Sequence, residues 1–159
     1  RSVMGLEDME AWQNMIIEII ETEPEKRTIH WFWDSGGGIG KTELCKYLVV
    51  TYAPDILYVN GKATDMKYCI SQFVENHKRG PKALLCDFPR TYEQFVSYQG
   101  LEEIKNGIFF SGKYESGMCL YNTPHVICFA NFPPRLPALS GDRWNVVSLD
   151  DLLAEDESS

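Results

Sequence analysis

Ser35-Gly36-Gly37-Gly38-Ile39-Gly40-Lys41-Thr42 follows a short apolar run, Ile29-His30-Trp31-Phe32-Trp33, and opens onto Glu43-Leu44-Cys45-Lys46-Tyr47-Leu48, which is compatible with a helix. Strand, glycine-rich turn, Lys-Thr and helix, in that order, is the setting a phosphate-binding P-loop requires. Glycines let successive backbone N–H groups turn inward around phosphate oxygens with no Cβ in the way. Lys41 is placed to reach the β- and γ-phosphates, the Thr42 hydroxyl to hold Mg²⁺, and the helix start to add its dipole to the same anion. The stretch departs from G-x-x-x-x-G-K-[ST] at one point, where Ser35 replaces the first glycine. Serine is small, so the loop is expected to be altered little. These residues imply a nucleoside triphosphate site with Ser35, Gly36, Gly37, Gly38, Ile39, Gly40, Lys41 and Thr42 around the phosphates.

Working outward, 159 residues fit one domain with a short extension. No apolar run approaches the roughly 18 residues that a membrane-spanning helix needs. Cys45, Cys69, Cys86, Cys119 and Cys128 form no C-x-x-C pair, so they read as small apolar side chains in a reducing compartment. The three histidines have no metal-ligand spacing. The formal charge of −8 disguises an uneven distribution. Residues 1–25 hold seven acids and one base, and residues 150–159 hold five acids and no base. That leaves 11 acids and 14 bases in residues 26–149, a central segment of about +3 that permits a nucleic-acid contact without requiring one. The acidic end is expected to be a disordered tail.

Leu6, Met9, Ile16, Ile17 and Ile20 recur at helical spacing and predict an amphipathic helix over 6–20, broken by Pro24. Beyond the P-loop helix come a strand at 56–60, a helix over 65–77 and a buried strand at 83–86. Residues 92–106 read as a helix interrupted near Gln99-Gly100. Strands at 108–111 and 118–121 flank a hairpin tip, another buried strand occupies 125–130, and 142–149 adds a short helix and strand. Apolar strands alternating with helices predict an α/β fold with a central parallel sheet covered on both faces.

Two polar residues end apolar strands. Asp87, about 45 residues after the loop, stands where P-loop proteins place the aspartate that holds Mg²⁺. Asn131 ends the next buried strand and carries an amide that can orient water near the γ-phosphate. Arg143, Arg135 and Arg90 are candidates for the cation that stabilises the leaving phosphate, a group often supplied by a neighbouring subunit. Lys113, with Tyr114 beside it at the hairpin tip, can grip a nucleic-acid phosphate while the ring stacks on a base. No general base is evident, because Asp87 is followed by Phe88 rather than a second carboxylate.

Together these residues resemble the superfamily 3 helicase domain of replication-associated (Rep) proteins from circular single-stranded DNA viruses, with circovirus- and nanovirus-like groups the nearest in feel. Residues 36–42 match Walker A and Leu84-Leu85-Cys86-Asp87-Phe88-Pro89-Arg90 matches Walker B. The run 101–107 with 111–117 matches the B′ region, and His125-Val126-Ile127-Cys128-Phe129-Ala130-Asn131-Phe132-Pro133 matches motif C. The resemblance covers residues 28–145. It implies a P-loop NTPase of AAA+-like fold over 28–149, a helical oligomerisation segment over 1–27, and a hexameric ring that hydrolyses ATP with Mg²⁺ between subunits and moves on single-stranded DNA in the host nucleus. By residue it implies Lys41 and Thr42 on phosphate and Mg²⁺, Asp87 on Mg²⁺ and Asn131 as γ-phosphate sensor. Lys113 becomes the DNA contact and Arg143 the arginine finger. The chain lacks the family's nuclease signatures, His-apolar-His and Tyr-x-x-Lys, so nicking is not implied; an opening Arg1 fits a piece of a longer protein. Two other readings stay open. Asp87-Phe88-Pro89-Arg90-Thr91 is similar to a stretch of adenylate kinases, and the missing second carboxylate suits a nucleotide-dependent assembly module that hydrolyses slowly.

Overall fold

The computed structural model describes residues 9–112, 117–135 and 141–158. Its centre is a five-stranded, wholly parallel sheet in the order β2-β3-β6-β1-β7. The strands are β1 (Ile29–Trp33), β2 (Ile56–Val59), β3 (Ala83–Phe88), β6 (His125–Ala130) and β7 (Trp144–Ser148). Between β3 and β6 the chain inserts an antiparallel hairpin, β4 (Ile108–Phe110) and β5 (Met118–Leu120), with Ile108 opposite Leu120. The fold class is the one predicted, and the parallel sheet flanked by helices is compatible with a P-loop NTPase.

β6 is buried at every residue and β3 at all but Asp87, as a strand covered on both faces must be. Alternate residues supply the two faces. Leu84, Cys86, Val126 and Cys128 join Trp31 on one, beneath α3 (Ala63–His77), α4 (Tyr98–Asn106) and the hairpin. Leu85, Ile127 and Phe129 join Phe32 on the other, beneath α1 (Ala11–Glu21), α2 (Lys41–Thr51) and α5 (Leu149–Ser158). Trp31 binds the first layer together: its ring lies 5.5 Å from Phe88 and 5.8 Å from Tyr98, and its Nε1 donates to the Phe132 carbonyl at 3.1 Å.

The two ends of the chain differ from expectation. The helix predicted over 6–20 runs from Ala11 to Glu21, and it turns Trp12, Ile16 and Ile20 into the domain's own core. Residues 150–158 are helical where a disordered tail is expected; Leu149 is fully buried, and Leu152 and Leu153 pack beside it. Four of the five cysteines are buried and all are free, and among the described residues no cluster has the make-up of a metal site. Among the described residues, no helix is long and apolar enough to cross a membrane.

Candidate functional site

Register brings the predicted motifs together. Ala130 stands level with Trp33 on one side and Phe88 on the other, so β1, β6 and β3 all end at one edge. Asp34 and Asn131 leave that edge side by side, with Asp87 one residue inside it. In an open parallel sheet this carboxyl edge is where ligands sit. A cavity of about 470 Å³ opens there, lined by Gly37, Gly38, Gly40, Lys41, Thr42, Glu43, Asp87, Pro89 and Asn131. Lys41, Thr42, Asp87 and Asn131, chosen from sequence, therefore share one hollow.

The loop has the backbone its glycines permit. Gly37, Gly38 and Gly40 have φ of 74°, 75° and 102°, values that L side chains rarely adopt. Gly40 caps α2, and its carbonyl accepts from the Leu44 N–H at 3.0 Å and from Gln13 Nε2 of α1 at 3.2 Å. Gly36 stands in open space, whereas Ile39 leans on the second core layer. Ser35 does more than replace a glycine: its N–H and its hydroxyl both donate to Asp150 of α5, at 3.1 and 2.7 Å.

Sequence reasoning did not single out Asp34, the most engaged residue of the site. Its side chain is 1% exposed. Its carboxylate forms an ion pair with Lys41 Nζ and accepts from the Gly37 N–H at 2.5 Å and from Asn131 Nδ2 at 3.4 Å. One loop amide, the loop lysine and the Asn131 amide thus converge on one anion. Arg90, a finger candidate, instead donates within its own chain to the carbonyls of Ser35 at 2.9 Å and Asn131 at 2.7 Å. It ties the phosphate loop to the end of β6. Tyr58 donates its hydroxyl to Asp87 at 2.5 Å. Burial first, then that bond and the carboxylate's charge, hold the Tyr58 hydroxyl well above its usual range, so it stays a donor.

Arg143 stands apart from the loop. It precedes β7, whose Trp144 is level with Ile29 at the start of β1, so it lies at the amino end of the sheet, away from the loop. Its guanidinium is buried and donates to the Arg27 carbonyl at 3.3 Å and to Asn106 Oδ1 at 2.9 Å, with Glu102 as counter-ion. Its head group is thus held within its own chain. Arg135 is exposed at the carboxyl end of β6, with its guanidinium 5.6 Å from the centre of the Tyr98 ring. Lys113 and Tyr114 lie outside the described residues.

No family model matches the chain. Individual proteins do. Para-Rep C7 of Faba bean necrotic yellows C7 alphasatellite is 36% identical over 148 residues, which is 89% of this chain and 48% of that protein. The master replication protein of Subterranean clover stunt virus (strain F) is 38% identical over 139 residues, 87% of this chain and 45% of its own length. That of Milk vetch dwarf virus (isolate N) is 38% identical over 133 residues, 83% and 43%. This chain is a homologue of Rep proteins from circular single-stranded DNA viruses and alphasatellites. It spans about half the length of these Rep relatives. The Rep similarity covers most of the chain, and the cavity of the carboxyl edge is the one feature of the described residues that gathers all four motif residues.

Proposed function

We propose that this Rep-like chain is the ATP-hydrolysing motor segment of a rolling-circle replication initiator, working between subunits of a hexameric ring that draws single-stranded DNA. The observation that carries the reading is the convergence of Lys41, Thr42, Asp87 and Asn131 on one cavity at the carboxyl edge of a parallel sheet. A triphosphate fits the residues present, because the lysine, the loop amide and the asparagine amide already point at an anion, the Asp34 carboxylate. In this reading Lys41 and the amides of 37–42 hold the β- and γ-phosphates. Thr42 and Asp87 hold Mg²⁺, which neutralises charge on the phosphates when bound. Tyr58 keeps Asp87 turned into the cavity, and Asn131 orients the attacking water. Arg135 takes the finger role in place of Arg143, and Lys113 with Tyr114 contacts DNA. The similarity to viral replication proteins fits action in the host nucleus.

ATP hydrolysis with and without single-stranded DNA, on wild type and Lys41→Ala, tests this. The expected outcome is a basal rate raised by DNA and lowered at least about 100-fold by the substitution. A rate indifferent to DNA removes the motor reading. One observation favours a second reading, an assembly module that binds ATP and turns it over slowly. The residue after Asp87 is the buried Phe88, so β3 offers no second carboxylate to polarise water. Rings formed with ATP but negligible turnover would favour it.

A further inference from the structure

The donors of Ser35 at the loop's start go to Asp150, whereas Asp34 engages those that face the cavity. Its carboxylate takes the Lys41 ammonium, the single Gly37 N–H at 2.5 Å and, more loosely, the Asn131 amide at 3.4 Å. A buried carboxylate is tolerated only while its charge is matched and its lone pairs are met. A single N–H cannot serve a carboxylate and a phosphate oxygen at once, and one ammonium cannot neutralise both. We propose that Asp34 is the resident anion of the phosphate cradle, that nucleotide binds by displacing it, and that Asp34 thereby sets the affinity of the site. The proposal rests on the reading of residues 35–42 as a triphosphate site.

The surroundings confine the exchange to a side chain. The Asp34 N–H donates to the Ala130 carbonyl at 3.2 Å, in continuation of the β1–β6 ladder. The next residue is held twice by Asp150 and its carbonyl by Arg90. With the backbone tied on both sides, the carboxylate leaves by rotating about its own bonds. Lys41 sits on the first turn of α2, and the glycines between them adjust without a Cβ to hinder them. When Lys41 and the Gly37 amide turn to a phosphate, Asp34 loses its counter-ion and faces a like charge, so it moves out of the cradle. The empty loop is thereby kept from standing open with an unpaired lysine, and the bound state forfeits part of its phosphate energy to break that pair.

Two uncharged variants of the full chain, Asp34→Asn and Asp34→Ser, test this by calorimetric titration with Mg·ATP and separately with Mg·tripolyphosphate. The expected result is binding about tenfold tighter than wild type for both probes, equal to about 1.4 kcal/mol. Without ligand the variants should melt below wild type, and Mg·ATP should raise their melting temperature by more. A purely structural role for Asp34 would lower the unliganded melting temperature without raising affinity. Wild type binding as tightly as, or more tightly than, every variant that melts cooperatively overturns the exchange alone. If no protein of the three binds either probe, the nucleotide reading falls and the exchange falls with it. Binding by the variants but not by wild type is the expected result in its extreme form.

Discussion

The two ends of the sheet hold their cations in different ways. At the carboxyl edge Lys41 is 11% exposed and faces Asp34, a side chain that can rotate away. At the amino edge Arg143 is 7% exposed, almost the same, yet its partners are the Arg27 and Glu102 carbonyls, Asn106 and the Glu102 carboxylate. Lys105 there is buried and donates to the Pro124 carbonyl at 2.8 Å, and His125 Nε2 bonds the Thr22 carbonyl at 2.8 Å. Burial, and then the neighbouring charge of Lys105, push His30 down to about 4. Exposure alone does not distinguish Lys41 from Arg143. What separates them is the kind of partner: at the amino edge backbone carbonyls fix each cation, with Asn106 and Glu102 added for Arg143, and at the carboxyl edge Lys41 faces the single carboxylate of Asp34.

That contrast can be broken in steps. The largest effect is expected for Arg143→Ala, which removes a buried guanidinium and with it the donors to the Arg27 carbonyl and to Asn106 and the counter-charge of half-buried Glu102. It should cost about 3 kcal/mol, a fall of roughly 10 °C in melting temperature, while the folded fraction keeps its affinity for Mg·ATP. An unchanged melting temperature with lost hydrolysis would return Arg143 to the finger role. Next comes Lys105, whose burial lowers its pKa from 10.5 to about 8. Between those values the unfolded chain holds a proton that the folded one has released, so stability rises as pH climbs from about 8 towards 10. Relative to Lys105→Met, wild type should gain on the order of 2 kcal/mol across that window; parallel curves in chemical denaturation would show that Lys105 is not held neutral by the fold. The smallest effect is expected for Tyr58→Phe, which removes the hydroxyl donated to Asp87. A loss near 1 kcal/mol should appear as a several-fold higher Mg²⁺ requirement for nucleotide binding, with thermal stability nearly unchanged. A Mg²⁺ requirement equal to wild type would detach Tyr58 from the site.

The sequence disclosed the carboxyl edge better than the amino edge, for a physical reason. Asp87 and Asn131 each close or follow a contiguous apolar strand, and Lys41 ends a glycine-rich run, so their place is written in local pattern. Their neighbours Gln13, Tyr58, Arg90 and Asp150 reach them only through tertiary folding; Ser35 and Asp150 are 115 residues apart. Asp34 was adjacent to the loop throughout, but no phosphate-loop pattern asks for a carboxylate there, and only the fold reveals that it fills the cradle. Arg143 was an unattached cation in the sequence because Glu102 and Asn106 lie some 40 residues away. At the end of the chain, Leu149, Leu152 and Leu153 have helical spacing, and the acids around them obscured it.

The most direct test of the whole account is a titration of the uniformly ¹⁵N-labelled chain with Mg·ATP, followed residue by residue in the backbone amide spectrum. The account predicts that amides at Asp34, Gly37, Gly38, Gly40, Lys41, Thr42, Asp87 and Asn131 move together and saturate, while those of Lys105, His125 and Arg143 stay in place. Saturable movement centred on the amino edge, or none at the loop, would contradict it.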